Sequence, residues 1–127
     1  MSRLKDGRAL LEADLRAGLE ATPLNVVGTV PEALEPPCVV IQAADPFLLP
    51  GDTFAGEWAV HYDLILCLDL LSNAQATEDL EDHLPALLAA VEATEYGVDS
   101  VGRPGPVHTA EWVAHAITVT VSRFITL

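Results

Sequence analysis

Trp58-Ala59-Val60-His61-Tyr62-Asp63-Leu64-Ile65-Leu66-Cys67-Leu68-Asp69-Leu70 alternates almost without a break. Trp58, Val60, Tyr62, Leu64, Leu66, Leu68 and Leu70 share one parity, and His61, Asp63, Cys67 and Asp69 share the other. Successive strand side chains point to opposite faces, so this period predicts a long antiparallel-type strand with one buried face. At ~3.3 Å per residue the stretch reaches roughly 40 Å, longer than a usual strand. Strands of that length often project beyond their own domain.

The same reading extends outward in both directions. From Ala110 to Ile125 the residues Val113, Ile117, Val119, Val121 and Ile125 fall on one face, with Thr118, Thr120 and Ser122 on the other. These residue types favour a pleated surface, so a closing strand is predicted there. Cys38-Val39-Val40-Ile41 reads as a short strand covered on both faces. Val98 and Val101 suggest another, closed by Gly102-Arg103-Pro104-Gly105-Pro106. Pro23, Pro31, Pro36 and Pro37 make residues 23–37 mostly an extended connection. Asp45-Pro46-Phe47-Leu48-Leu49-Pro50-Gly51-Asp52 reads as a loop by its Pro and Gly content.

Two segments carry helical spacing. Over residues 4–21, Leu4, Leu11, Leu15 and Leu19 form one stripe, and Thr22-Pro23 is a plausible stop. Gly7 and Gly18 each weaken that helix by about 1 kcal/mol relative to Ala, so packing must hold it. Over residues 76–95, Leu80, Leu84, Leu87, Leu88 and Val91 form a second stripe. Thr77 is the candidate N-cap, and Glu78, Asp79, Glu81 and Asp82 suit the positive end of the helix dipole. Pro85 either kinks this helix or sits in the first turn of one that begins near Asp82, and Gly97 is the expected stop. The order predicts one α+β domain over residues 1–127, with a mostly antiparallel or mixed sheet of about four strands and two helices packed on one face. A chain of 127 residues buries roughly two-thirds of its unfolded surface, enough for a core without staples.

Charge is distributed along the chain with unusual polarity. Between Ala17 and Gly102 there is no Lys or Arg, yet fifteen of the nineteen acids lie there. Arg3, Lys5, Arg8, Arg16, Arg103 and Arg123 all lie near the two ends, and the formal charge is −13. Such a body repels nucleic-acid phosphates, because binding there depends on cationic contacts and counterion release. A role near DNA means letting it slide past without specific binding.

No apolar run reaches the ~18 residues that span a bilayer, and the longest is broken by Asp63 and Asp69. Met1-Ser2-Arg3-Leu4-Lys5-Asp6 lacks the apolar stretch of a signal peptide, so a cytosolic origin is expected. Cys38 and Cys67 lie in apolar segments and read as small buried hydrophobes before a disulfide.

Catalytic patterns are not found. Ser2, Ser72, Ser100 and Ser122 lack a nucleophile elbow, and the glycines form no phosphate-cradling loop. His61 and Asp63 lie two apart on one strand face, and His115 has the core-side parity of the last strand. If those strands pair, the two histidines can approach, but no third metal ligand is specified. The acids Glu78, Asp79, Glu81 and Asp82 read as a solvated helix face. No cofactor, metal site or enzymatic activity is expected; the pattern is that of a structural or interaction protein.

Taken together, several features resemble the tail terminator (tail-completion) proteins of long-tailed bacteriophages, particularly those of actinobacterial hosts. They are the leading amphipathic helix through Leu19, the lead-in Glu35-Pro36-Pro37-Cys38-Val39-Val40-Ile41, and a Gly-containing loop before Trp58–Leu70. The acidic Leu-rich helix around Asp79–Val91 and the strand Ile117-Thr118-Val119-Thr120-Val121 complete the set. The resemblance implies a virion protein that forms a ring, typically of about six subunits, on the head-proximal end of the tail tube. That ring stops tube growth and offers the surface for head attachment, so the implied partners are other copies, the tail tube protein and a head-tail connector or stopper.

Six copies carry a formal charge of about −78, so such a ring is self-repelling and salt-sensitive. Arg103 and Arg123 are the candidate intersubunit partners for acids. Exposed ion pairs contribute only ~0–1 kcal/mol each, so apolar contacts must carry assembly. Phe47, Leu48 and Leu49 lead as candidates. Two readings fit that segment, a loop folded onto its own core and a loop inserted into a neighbour.

Rival functions follow from the same residues. A head-completion protein or a tail-tube subunit belongs to the same machine, and a tube subunit stacks into open polymers instead of one ring. A small ligand-binding α+β domain needs a pocket of convergent polar groups, for which only His61 and His115 offer material. An acidic DNA mimic follows from charge alone and predicts salt-dependent binding to a basic protein.

Overall fold

The computed structural model describes residues 3–28, 37–51, 56–68, 73–108 and 113–126. In chain order the elements are α1 (Arg3–Gly18), β1 (Asn25–Val27), β2 (Cys38–Pro50), β3 (Glu57–Leu68), α2 (Asn73–Glu92), β4 (Gly97–Val101), β5 (Gly105–His108) and β6 (Val113–Thr126). The six strands form one mixed sheet in the order β1-β2-β3-β6-β4, with β5 also pairing β6. Among the described strands only β1 runs parallel to its neighbour. This is the expected α+β class with two more strands than the alternation shows. The additions, β1 and β5, are three and four residues long and sit in Pro- and Gly-rich stretches. Neither has the length to show a period; each is ordered by hydrogen-bonding groups along a longer strand.

β3 is the axis of the sheet, paired with β6 from Glu57↔Thr126 to Leu68↔His115 and with β2 on its other side. Its even residues, Val60 through Leu68, join Leu11, Leu15 and Leu19 of α1 and Leu80, Leu87 and Val91 of α2 in the main core. Both helices therefore lie on one face, as their leucine stripes require. The expectation of a single buried face on β3 holds only at its Glu57 end. Ile65 and Cys67 are also buried, packing with Cys38, Val40 and Ala116 on the face away from the helices. Cys38 lies directly opposite Cys67, and both are free thiols. The hydrogen bond with Cys38, then burial, pushes the Cys67 thiol well above its ordinary range, so it stays protonated at neutral pH. Asp69, Leu70, Glu35 and Pro36 lie outside the described residues.

The segment expected to be a loop from Asp45 is strand. β2 runs to Pro50, and its Pro content is absorbed by an irregularity between Ala43 and Leu48 that includes a cis Asp45–Pro46 peptide. The bulge places Leu48 opposite Val60 and Leu49 opposite Ala59. A bulge lets a strand carry residues that cannot join the ladder without ending the pairing. Before β3, Gly56 adopts φ +71°, a left-handed conformation that disfavours any side chain.

Both helices end by one device. Ala21-Thr22-Pro23-Leu24 and Ala93-Thr94-Glu95-Tyr96 follow α1 and α2, and each leads into a strand at one margin of the sheet. Thr22 Oγ1 donates to Leu19 O at 2.7 Å and accepts from Leu24 N at 3.2 Å. Thr94 Oγ1 donates to Val91 O at 2.7 Å and accepts from Tyr96 N at 3.0 Å. Each hydroxyl satisfies a carbonyl left over at the helix end and turns the chain back to the sheet. Thr94, and not Gly97, thus stops α2, and Gly97 opens β4. α2 also starts at Asn73, so Thr77 lies within it and is not its cap, and Pro85 lies in its interior. Gly18 brings the helices together: a Cβ there would lie 2.8 Å from Ala90 Cβ.

Candidate assembly surfaces

The α1 helix distributes its charge around its own axis. Lys5 and Arg8 line grooves toward β1 and β2, whereas Asp6, Gly7 and Leu10 line a groove toward β6. At about 100° per residue, Arg8 and Leu10 are turned roughly 200° apart. Because β2 and β6 pair with opposite sides of β3, these two flanks face opposite margins of the sheet.

On the β2 side, a groove of about 390 Å³ runs between Leu4, Lys5 and Arg8 above and Phe47 and Tyr62 below. A second, of about 250 Å³, continues past Lys5, Arg8 and Glu12 to Gly28. Arg16 closes this flank, holding Glu12 Oε2 at 3.3 Å and donating to Val26 O at 3.0 Å. On the β6 side, a groove of about 420 Å³ is bounded by Asp6, Leu10, Glu57, Glu95 and Phe124. Leu10 is 48% exposed and Phe124 60% exposed.

The sequence-selected residues divide between these surfaces. Phe47 meets Tyr62 edge-on, ring centroids 5.5 Å apart, and Tyr62 meets Tyr96 at 6.1 Å. Phe47 and Leu48 pack against their own core, while Leu49 turns to the other sheet face and is 44% exposed. Arg123 is engaged within its own chain, 2.6 Å from Glu95 and over the Tyr96 ring at 5.6 Å. Burial, and then the neighbouring Tyr62, pushes the Tyr96 hydroxyl up to about 12, against the pull of Arg123. Arg103 is exposed after β4, with no ion pair among the described residues.

Sequence reasoning missed Phe124 and Leu10. Phe124 shares the parity of Thr120 and Ser122, and an aromatic on that otherwise polar face was the available signal. In register, Leu49, Ala59 and Phe124 form one row across β2, β3 and β6. Leu10 stands beside the leucine stripe of α1 but off its buried face, which only packing reveals.

The polar side chains described on the open sheet face pair with one another. Ser122 Oγ donates to Asp99 Oδ1 at 2.9 Å, and His61 Nε2 lies 3.7 Å from Asp99 Oδ2. Asp99 thus stands between Ser122 and His61, whereas in a Ser-His-Asp set the His stands between the other two. Thr120 Oγ1 donates to Asp63 Oδ1 at 2.8 Å. The approach of the two histidines does not occur: His61 pairs with Ser122, and His115 pairs with Leu68 on the helix-covered face. His115 does have the core-side position its parity indicates, at 5% exposure. Among the described residues no three His, Cys, Asp or Glu side chains converge to hold a metal, and no helix is long and apolar enough to cross a membrane.

Comparison with protein-family models finds no match, and comparison with curated protein sequences finds no similar one.

Proposed function

We propose that the chain is a self-assembling structural subunit that closes the head-proximal end of a phage tail tube, in the manner of a tail terminator. The ring halts tube elongation and presents the surface on which the filled head docks. The observation that carries this reading is the distribution of exposed apolar side chains. Phe124 lines a groove with Leu10 and shares a cross-strand row with Leu49 through Ala59, and Val98 and Val101 are exposed on β4. Apolar clusters of this kind mark contact sites with other proteins.

Charge supports the DNA-passing part of the role. The outer side of α2 exposes Glu78, Glu81, Asp82 and Glu92, and the helix contains no Lys or Arg. Duplex DNA moving past such a surface gains no phosphate contacts that would arrest it.

The test is native mass across protein concentration at fixed, near-physiological ionic strength. A single closed species of about six copies is expected. An open ladder of sizes assigns the chain to the tube itself, and a strict monomer at every concentration refutes self-assembly.

A further inference from the structure

We propose that Cys38 and Cys67 form a reversible oxidation site, a cross-strand dithiol that small disulfide oxidants convert into a covalent link between β2 and β3. The site belongs to the sheet itself and is independent of any assembly.

The chain has two cysteines, and both are free. They face one another across the antiparallel β2–β3 ladder. Both pack with Val40, Ile65 and Ala116 on the sheet face away from the helices. Directly opposed residues of such a ladder have Cα atoms about 4.5 or 5.5 Å apart, according to whether the pair is hydrogen-bonded. Both spacings fall within the ~4.4–6.8 Å that disulfides span, so the strands can be joined with their pairing intact. The two thiols already interact, each shifting the ionisation of the other.

Position in the strands sets access. At 1% and 0% exposure, neither residue meets an oxidant in the closed sheet. Cys38, however, is the first residue of β2, and Cys67 is next to last in β3. Opening of that one ladder end exposes both, and such local opening needs less than global unfolding.

Cys38 reacts first. The hydrogen bond with Cys67 favours its thiolate against the effect of burial, whereas Cys67 holds its proton. The Cys38 thiolate attacks one sulfur of a small disulfide such as oxidised glutathione, and one glutathione thiolate leaves. Cys67 then gives up its proton and attacks Cys38 Sγ, releasing the second glutathione. Two protein S–H bonds are replaced by one S–S bond, and two electrons and two protons pass to the glutathione pair. Excess reduced thiol runs the same steps backward, so the redox poise of the compartment decides the state.

The test equilibrates the purified protein in glutathione buffers of stepped oxidised-to-reduced ratio, then alkylates, weighs and maps it. A monomeric product two hydrogens lighter, with Cys38 joined to Cys67, is expected. Closing the chain between the two residues restricts the unfolded state, so its Tm is expected to rise by about 5 °C or more and to fall back on reduction. Cys67→Ala is expected to stop as a glutathione adduct on Cys38, and Cys38→Ala to take up glutathione about tenfold more slowly. Circular dichroism establishes that both variants are folded. Two thiols that stay free in the most oxidising buffer overturn the site. Glutathione on each cysteine, or a disulfide between two chains, does so as well. A Cys38–Cys67 disulfide that leaves Tm unchanged or lower overturns its fit to the native ladder, and equal reactivity of the two variants overturns the order of attack.

Discussion

Replacing Gly18 with Ala sets two known effects against each other at one methyl group. Helix propensity favours Ala over Gly by up to about 1 kcal/mol, and less at a terminal residue such as Gly18. Packing opposes it. The added carbon would sit 2.8 Å from Ala90 Cβ and 3.2 Å from Ala90 Cα, well inside the ~3.5–4.0 Å of an ordinary carbon contact. Ala90 is buried and offers a backbone carbon and a methyl, neither of which can rotate away. Relief therefore requires α1 and α2 to part, loosening the leucines between them. Overpacking of this kind costs about 1–3 kcal/mol, so a net loss of roughly 1–2 kcal/mol is expected. For a domain of this size that lowers Tm by roughly 3–8 °C. Urea denaturation of dilute protein measures the loss directly. The exchanged pair Gly18→Ala/Ala90→Gly moves the methyl across the contact and should show favourable coupling of about 1 kcal/mol in a double-mutant cycle. A Gly18→Ala protein as stable as the parent, or more so, refutes the close approach of the helices.

Two other perturbations read the aromatic cluster behind the β6-side groove. Tyr96 keeps its proton to about pH 12 when folded and loses it near its ordinary value of 10 when unfolded, so its contribution is full below pH 10 and is lost as pH rises toward 12. That loss amounts to about 2 kcal/mol, and Tyr96→Phe should flatten the alkaline limb of a stability-versus-pH curve; an unchanged limb counts against burial of the hydroxyl. Arg123→Ala removes the pair with Glu95, which is 68% exposed and contributes ~0–1 kcal/mol, together with the Tyr96 ring contact of about 0.5–1 kcal/mol. Chemical denaturation of the dilute protein should therefore show a loss near 1 kcal/mol. Unchanged stability with assembly abolished would return Arg123 to the role of a direct intersubunit partner.

What could be read without the fold was whatever a local period records. The alternation from Trp58 and the leucine stripes of both helices state which side chain meets apolar surroundings, because burial constrains each residue in turn. Those periods determined the α+β class, the helix-covered sheet face and most of the main core. Burial of Ile65 and Cys67 on the second face was not visible, since it needs Cys38, Val40 and Ala116 brought alongside from two other strands. The run from Asp45 misled because proline signals a break, while a bulge let β2 resume its pairing at Leu48.

The candidate surfaces divide the same way. Confinement of the basic residues to the chain ends is a property of the sequence, and so is the acidity of everything between them. That Lys5 and Arg8 overlook Phe47 and Tyr62, while Asp6 and Leu10 overlook Phe124, depends on where α1 crosses the sheet. Register likewise set His61 and His115 on opposite faces and turned Arg123 toward Glu95. Parity is written locally and survives in any fold, but the neighbour across a strand or a helix is chosen by pairing between distant segments, which only the tertiary structure decides.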